Sequence, residues 1–320
     1  MTTRVLVTGA NGFVAQWAMR AMLERGWTVF GAGIGTLPES SALDAEQRAA
    51  VRWLPMDVTR QDEIAAAMDA ALPEVVVHLA AISHVPDAMN NPGYAYEVNV
   101  VGTVRLLAEV RRMRAGGSVD PLVLVVGSAE QYGRHDTDEM PLRETTPQRP
   151  LTLYAASKVG QEVAALQAFR SEGMRVICTR SFNHSGVGHA PHFLLPGMVR
   201  RALVLRESGG PLTVGNGETV RDFLHVEDVV DAYLALIDRG APGEAYNVSS
   251  GEGATVLQLA RAVLQRLSLS AEISSDPGLA RPIDVPVLIG DNTKLRLATG
   301  WAPRRTRVDI IDDLIHAATL

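Results

Sequence analysis

An α/β fold built on a doubly wound parallel sheet follows from three features of this 320-residue sequence. Short apolar runs of β type alternate with helical segments as far as residue 180. The first such run ends in a glycine turn that opens a helix. Beyond 180 the rhythm changes to Gly-, Pro- and His-rich loops mixed with short helices, which predicts a smaller, mostly C-terminal α/β lobe. Continuous apolar strands separated by helices are buried on both faces, and that is the habit of parallel strands. Right-handed crossovers then wind the helices onto both sides of the sheet.

The first unit runs Arg4-Val5-Leu6-Val7-Thr8-Gly9-Ala10-Asn11-Gly12-Phe13-Val14-Ala15, after which Val14, Trp17, Ala18, Ala21 and Met22 recur at helical spacing. Glycines at 9 and 12 let the backbone turn tightly and approach a pyrophosphate, which rests on the helix N-terminus. Ala15 is small enough to keep helix and strand close. A purely structural βα turn would use the same residues. Further strands are predicted at 28–32, 75–79, 122–126 and 175–179, and helices at 62–71, 96–113 and 154–171. Gly209-Gly210-Pro211 and Arg239-Gly240-Ala241-Pro242-Gly243 read as turn-rich connectors. The expected division is a dinucleotide-binding domain over 1–180, to which about 215–248 returns, and an interleaved substrate-binding domain over 181–214 and 249–320. Ligand loops are expected at the C-terminal ends of the strands.

Composition narrows the class. The net charge of −6 provides no global basic field for nucleic acid or an anionic membrane. One cysteine, Cys178, excludes an internal disulfide and a cysteine-based metal cluster. No apolar run approaches the roughly 18 residues of a membrane helix, and the chain opens on a strand rather than a charged-then-apolar leader. A cytoplasmic enzyme is expected. His184, His189 and His192 lie close in sequence, but no carboxylate or cysteine completes a metal set, so no metal is expected.

The candidate chemistry centres on one lysine. Of 30 basic residues only Lys158 and Lys294 are lysines, and Lys158 follows a tyrosine by four positions in Tyr154-Ala155-Ala156-Ser157-Lys158. Residues i and i+4 share a helix face. An ammonium beside a phenol lowers its pKa from about 10 towards neutrality, which would make Tyr154 a proton donor or acceptor. The compact ammonium also suits a ribose hydroxyl. A solvated helix face gives the same spacing. Ser128 and Glu130, in Gly127-Ser128-Ala129-Glu130-Gln131-Tyr132-Gly133, stand at the tip of a buried strand, where a substrate oxygen can be met; Ser128 could equally cap a turn. The acid that normally holds the 2′-hydroxyl of NAD, about 20 residues past the glycine turn, is missing from Phe30-Gly31-Ala32-Gly33-Ile34-Gly35-Thr36. NADH and NADPH both stay open, with a lean to NADPH.

Taken together, Thr8-Gly9-x-x-Gly12-x-x-Ala15, Asp57-Val58, His78-Leu79-Ala80-Ala81, Asn99-Val100, Ser128 and Tyr154-x-x-x-Lys158 resemble the extended short-chain dehydrogenase/reductase family. Its members remodel nucleotide-activated sugars on a Rossmann-type sheet. The resemblance continues through Arg180-Ser181-Phe182-Asn183-His184, Arg221-Asp222-Phe223-Leu224-His225-Val226-Glu227-Asp228, Tyr246-Asn247-Val248-Ser249-Ser250-Gly251 and Gly300-Trp301-Ala302-Pro303. Residues 127–133, 182–188 and 281–291 are most similar to GDP-4-keto-6-deoxy-D-mannose reductases, which form GDP-D-rhamnose. Ala15, Val187 and Ala129 depart from the usual glycine, proline and hydroxyl residue of the family.

The resemblance implies roles. Tyr154 would deliver a proton to the C4 oxygen, Ser128 would stabilise it, and Lys158 would keep the phenol's pKa low and hold the ribose. Asn99 would support a water linking Lys158 to solvent. Cofactor contacts would come from Gly9, Asn11, Gly12, Phe13, Val14, Asp57, Val58, Leu79, Ala80, Ala81, Asn99, Tyr154 and Lys158. A GDP-linked sugar would meet Ser83, Ser128, Glu130 and Asn183, with Arg221 and Arg281 on the diphosphate and Asp284 on a ribose diol. Glu130 matches the glutamate of dehydratases, so GDP-mannose 4,6-dehydration is the alternative; another dehydratase, an epimerase and a non-catalytic nucleotide sensor carry less weight. A homodimer through helices 96–113 and 154–171 is also implied.

Overall fold

A computed structural model describes residues 2–38, 42–279 and 284–319. The large sheet has seven strands, all parallel: β1 (Arg4–Thr8), β2 (Thr28–Gly33), β3 (Arg52–Pro55), β4 (Val75–His78), β5 (Leu122–Ser128), β6 (Val176–Ser181) and, after an excursion into the lobe, Ala245–Val248. The lobe strands are β7 (Asn183–Ser185), β8 (Leu212–Val214) and β9 (Val220–His225), which makes Ala245–Val248 β10, followed by β11 (Gly253–Thr255), β12 (Ile273–Ser275) and β13 (Val287–Leu288). Spatial order in the large sheet is β10-β6-β5-β4-β1-β2-β3. The chain winds outward from β1 in both directions, so the switch point lies between β1 and β4, where a parallel α/β sheet opens a ligand crevice. The result is a Rossmann-type fold.

The helices are α1 (Phe13–Glu24), α2 (Ala45–Ala50), α3 (Gln61–Ala71), α4 (Val85–Asn90), α5 (Pro92–Tyr96), α6 (Gly102–Ala115), α7 (Leu153–Glu172), α8 (Leu194–Ser208), α9 (Val226–Arg239), α10 (Val256–Arg266), α11 (Thr293–Thr299) and α12 (Arg307–Thr319). Val5, Val7, Val77 and Leu124 point to one face of the sheet, against Trp17, Met22, Val229 and Tyr233 of α1 and α9. Leu6, Val76, Val123 and Val125 point to the other, against Ile64, Leu106 and Ala165 of α3, α6 and α7. This period-two division of continuous apolar strands is what two-sided burial requires. A separate core in the lobe packs α8, α10 and α12 around β8, β9 and β11.

Two sequence expectations need correction. The helix predicted over 96–113 is interrupted: a π-turn over Glu97–Val101 separates α5 from α6. Apolar periodicity carries through one extra residue per turn, so the pattern hides it. The edge strand β3 is absent from the predicted strands, because Arg52-Trp53-Leu54-Pro55 is short and half-exposed. No helix among the described residues is long and apolar enough to cross a membrane.

Candidate active site

The glycine turn is shaped for close approach of another backbone. Gly9 has φ +67°, and a Cβ there would stand 2.8 Å from the Cα and N of Ala80. Gly12 donates its N–H to the Gly9 carbonyl at 2.9 Å and caps α1 without a side-chain partner. The first-turn N–H groups of this 12-residue helix face the crevice with no acidic side chain beside them, which is the electrostatics of a diphosphate site. Asn11 ties the turn to the tip of β2 through the Ile34 carbonyl at 3.1 Å. Val14 packs into the core, and Val58 fills the space above Gly102. Asp57 spends one carboxylate oxygen on the N–H and hydroxyl of Thr59, both at 2.8 Å. Leu79, Ala80 and Ala81 follow β4 directly beside the turn, with the Ala80 N–H on the Thr8 hydroxyl at 3.2 Å. These residues fit a dinucleotide.

Ser128, the last residue of β5, and Tyr154, in the first turn of α7, are brought together, and the Ser128 hydroxyl hydrogen-bonds the phenol. Thr152 caps α7 on the Ala155 N–H at 3.1 Å, which holds the tyrosine's turn in place. Burial pushes the Tyr154 phenol up to about 12; the bond from Ser128 lowers it and the Glu130 carboxylate raises it. The expectation that Lys158 depresses this phenol is not met. The lysine is buried and its Nζ donates to the Val126 carbonyl and to Gln161 Oε1, each at 2.8 Å. Sharing a face with Tyr154 was legible from the i+4 spacing, but the long side chain is drawn to a strand carbonyl that spacing does not reveal. Burial among neutral acceptors brings the ammonium down to about 7.

Asn99 has direct partners of its own. It sits in the π-turn, fully buried, and takes the Ile82 N–H at 2.8 Å while donating to the Ile82 carbonyl at 3.2 Å and to Ser157 Oγ at 2.9 Å. It clamps the segment after β4 to α7 and makes no direct bond to Lys158. The π-turn supplies this by aiming a polar side chain inward from an otherwise apolar helix face.

Behind Ser128 and Tyr154 lies a buried polar framework that the motifs did not reveal. Arg180 pairs with Glu162 through two bonds, at 3.0 and 2.7 Å, and covers the Tyr132 ring at 4.9 Å. Gln131 joins Glu162 at 2.9 Å and accepts the Ser128 N–H at 2.7 Å, so the ion pair reaches the backbone of the candidate catalytic serine. The available signal was Glu162 at i+4 from Lys158, a carboxylate repeating on the Tyr154 face. Cys178 is buried in β6 as a small apolar residue, its thiol pushed up by burial.

Of the residues expected to meet a sugar, Asn183 begins β7 and Ser83 is exposed just before α4. Ala129 is buried against Tyr132, Phe182 and Leu288, so the missing hydroxyl lies in an apolar cluster and not on the cleft. Arg221 and Asp284, assigned separate ligands by the sequence, meet each other. The buried Arg221 guanidinium pairs with the Asp284 carboxylate and donates to the carbonyls of Val220 and Val285 at 2.8 and 2.6 Å. Arg281 lies outside the described residues. His189 and His192 belong to a ladder of rings. Phe13 stacks on His189 at 4.5 Å, His189 on Phe193 at 4.2 Å, Phe193 packs on His192 at 4.4 Å, and His192 on His84 at 4.6 Å. Among the described residues no group of three ligating side chains is placed to hold a metal. A groove of about 420 Å³ with Arg200 and Arg201 on its wall runs between α8 and β8, on the lobe.

Residues 6–314 match the family model described as GDP-mannose 4,6 dehydratase. The chain belongs to that family of extended short-chain dehydrogenases/reductases. Its relatives include the GDP-6-deoxy-D-mannose reductase of Pseudomonas aeruginosa, 30% identical over 96% of this chain and 94% of the relative. The GDP-6-deoxy-D-talose 4-dehydrogenase of Aggregatibacter actinomycetemcomitans is 31% identical over 96% of this chain and 95% of the relative. Among solved structures, RMD from Pseudomonas aeruginosa complexed with NADPH superposes with a TM-score of 0.81 at 27% identity, covering 99% of this chain and 100% of that one. The UDP-glucose 4-epimerase of Thermus thermophilus complexed with NAD reaches a TM-score of 0.83 at 26% identity, with 98% of each chain covered. As a member of the family, the chain is an NAD(P)-dependent oxidoreductase whose relatives act on nucleotide-activated sugars.

Proposed function

We propose that this chain reduces the C4 ketone of a nucleotide-activated 4-keto-6-deoxyhexose, with GDP-4-keto-6-deoxy-D-mannose as substrate and GDP-D-rhamnose as product. The observation that carries the reading is the Tyr154 phenol, protonated at neutrality and hydrogen-bonded by Ser128 at the tip of β5. Ketone reduction puts negative charge on the C4 oxygen, and a neutral phenol beside a hydroxyl is the acid that this oxygen needs. When bound, a reduced nicotinamide supplies the hydride. The glycine turn, the N-terminus of α1, Asp57, Val58 and residues 79–81 hold the dinucleotide, and Lys158 and Asn99 border its reactive end. Ser83, Ser128, Glu130 and Asn183 border the sugar. Arg221 serves the substrate diphosphate, with Asp284 beside it and Arg281 as its sequence-level partner. NADPH is the favoured cofactor, in keeping with the NADPH complex of the Pseudomonas aeruginosa relative.

A second reading, GDP-mannose 4,6-dehydration, is favoured by Glu130, whose charge acts on Tyr154 and which matches the glutamate of dehydratases in the sequence. Purified protein is incubated with GDP-4-keto-6-deoxymannose plus NADPH or NADH, and separately with GDP-mannose plus NADP+. Oxidation of the reduced cofactor in the first tube, with NMR giving the C4 configuration, is the expected result. A keto-sugar appearing only in the second would make the protein a dehydratase. Val101, Val104, Leu153 and Val163 leave apolar surface along the π-turn, α6 and α7, and this face is the proposed homodimer contact. Light scattering at micromolar protein is expected to give twice the 34.4 kDa chain mass, and a single-chain mass would refute the dimer.

A further inference from the structure

We infer that Gln161 is a positioning residue for Lys158, set by a directed chain of buried hydrogen bonds that begins at the glycine turn. The inference rests on the proposed place of Lys158 at the cofactor. The chain can be assigned donor by donor. Thr103 Oγ donates to the Asn99 carbonyl at 2.7 Å, and that spends its single proton. Its two remaining partners, His78 Nε2 at 2.9 Å and Gln161 Nε2 at 3.0 Å, must therefore both donate. His78 is then the Nε2–H tautomer, so its Nδ1 accepts from the Thr8 hydroxyl at 2.8 Å. That hydroxyl in turn accepts the Ala80 N–H at 3.2 Å. Every proton has one destination.

The consequence falls on Gln161. Because Thr103 can only accept from it, the amide presents its NH2 to Thr103 and its oxygen to the ammonium. The reverse orientation would set donor against donor at the ammonium and acceptor against acceptor at Thr103. Lys158 Nζ is thus held between Gln161 Oε1 and the Val126 carbonyl, each 2.8 Å away. Two of its three protons are accounted for, and the third remains for a ribose hydroxyl or for Tyr154. Both anchors are neutral, so the full positive charge stays available to a ligand. The other titratable groups around the site are His78 from β4, Tyr154 and Glu162 from α7, and Glu130 after β5. The lysine opposes protonation of His78, and Glu162 is spent on Arg180.

The test is the pH dependence of NADPH affinity, read by nicotinamide fluorescence, with the thermal melt of each variant as a folding control. Wild-type affinity falls on the alkaline side as the ammonium loses its proton. Gln161→Leu removes an acceptor and should move that limb to lower pH, whereas the nearly isosteric Gln161→Glu places a carboxylate there and should move it higher. Each shift is expected to be at least about half a pH unit, or about threefold in affinity at a fixed pH on the limb. Lys158→Met should flatten it. Shifts of opposite sign support the positioning role. A merely structural glutamine would change melting temperatures and leave the limb in place, and that result, with Lys158→Met still flattening it, overturns the inference alone. A limb that persists in Lys158→Met removes the lysine from the cofactor site, and the inference with it.

Discussion

The two sides of the cleft hold their cations in opposite ways. On the cofactor side, Lys158 is anchored by a backbone carbonyl and an amide, both neutral, and its charge is uncompensated and easily lost. On the proposed sugar side, the Arg221 guanidinium is matched by the carboxylate of Asp284, as that of Arg180, behind Ser128, is by Glu162. A buried charge without a counter-charge costs more in desolvation but stays open to a ligand. A paired charge is cheaper to bury, yet it has to be shared with or released by its partner before it can serve a diphosphate. The contrast separates groups that act through a proton from groups that act through permanent charge.

The largest test of this contrast lies at the proton. Tyr154→Phe should lower kcat by about 10²–10⁴-fold while leaving NADPH affinity within about threefold, since only the acid is removed. Steady-state kinetics and fluorescence titration measure the two, and equal losses in both would mean the phenol holds cofactor instead of donating. Next comes the Arg221–Asp284 pair. Arg221→Gln should raise KM for the nucleotide sugar by about tenfold, the scale of a charged hydrogen bond. Asp284→Asn removes the carboxylate's hold on the guanidinium and should lower KM a few-fold as the melting temperature drops; a rise in KM instead would place Asp284 on the ribose diol.

A separate effect falls on stability in acid. His78 is fully buried and held down to about 3 against an ordinary 6.5, so the unfolded chain takes up its proton first as pH falls. Stability contributed by the neutral ring is complete above pH 6.5 and is lost between 6.5 and about 3, at up to about 1.4 kcal/mol per pH unit. His189, lowered likewise to about 3 by burial and by His184 and His192, adds to the slope. Asp222 works against it: burial pushes its carboxyl up to about 6, so folding gains from its protonation between 6 and 3.8. Denaturant melts of wild type and His78→Gln across this range should show a shallower acid slope in the variant.

Much of the cofactor half was legible because its determinants are local. A β-type run, glycines at 9 and 12 and a helical apolar stripe specify strand, turn and helix through backbone sterics and period alone. Tyr154 and Lys158 share a face by helical geometry, and Ser128 ends a strand whose apolar run marks it as buried. What the one-dimensional pattern did not carry were partners distant in sequence. Nothing local to Arg221 announces Asp284, 63 positions away, and nothing near Lys158 announces the carbonyl of Val126. The π-turn at Asn99 leaves hydrophobic periodicity intact and so cannot be read from it, while the five-ring ladder needs the loops after β4 and β7 to converge on the glycine turn. Sequence alone therefore determined most elements of the large sheet, the edge strand β3 and the π-turn apart, and the shared face of Tyr154 and Lys158, because φ/ψ sterics and burial act over a few residues. Where the lysine's charge rests, which carboxylate each arginine meets and how acidic the phenol is were decided by the tertiary structure, because desolvation and hydrogen-bond satisfaction depend on whatever the fold packs alongside.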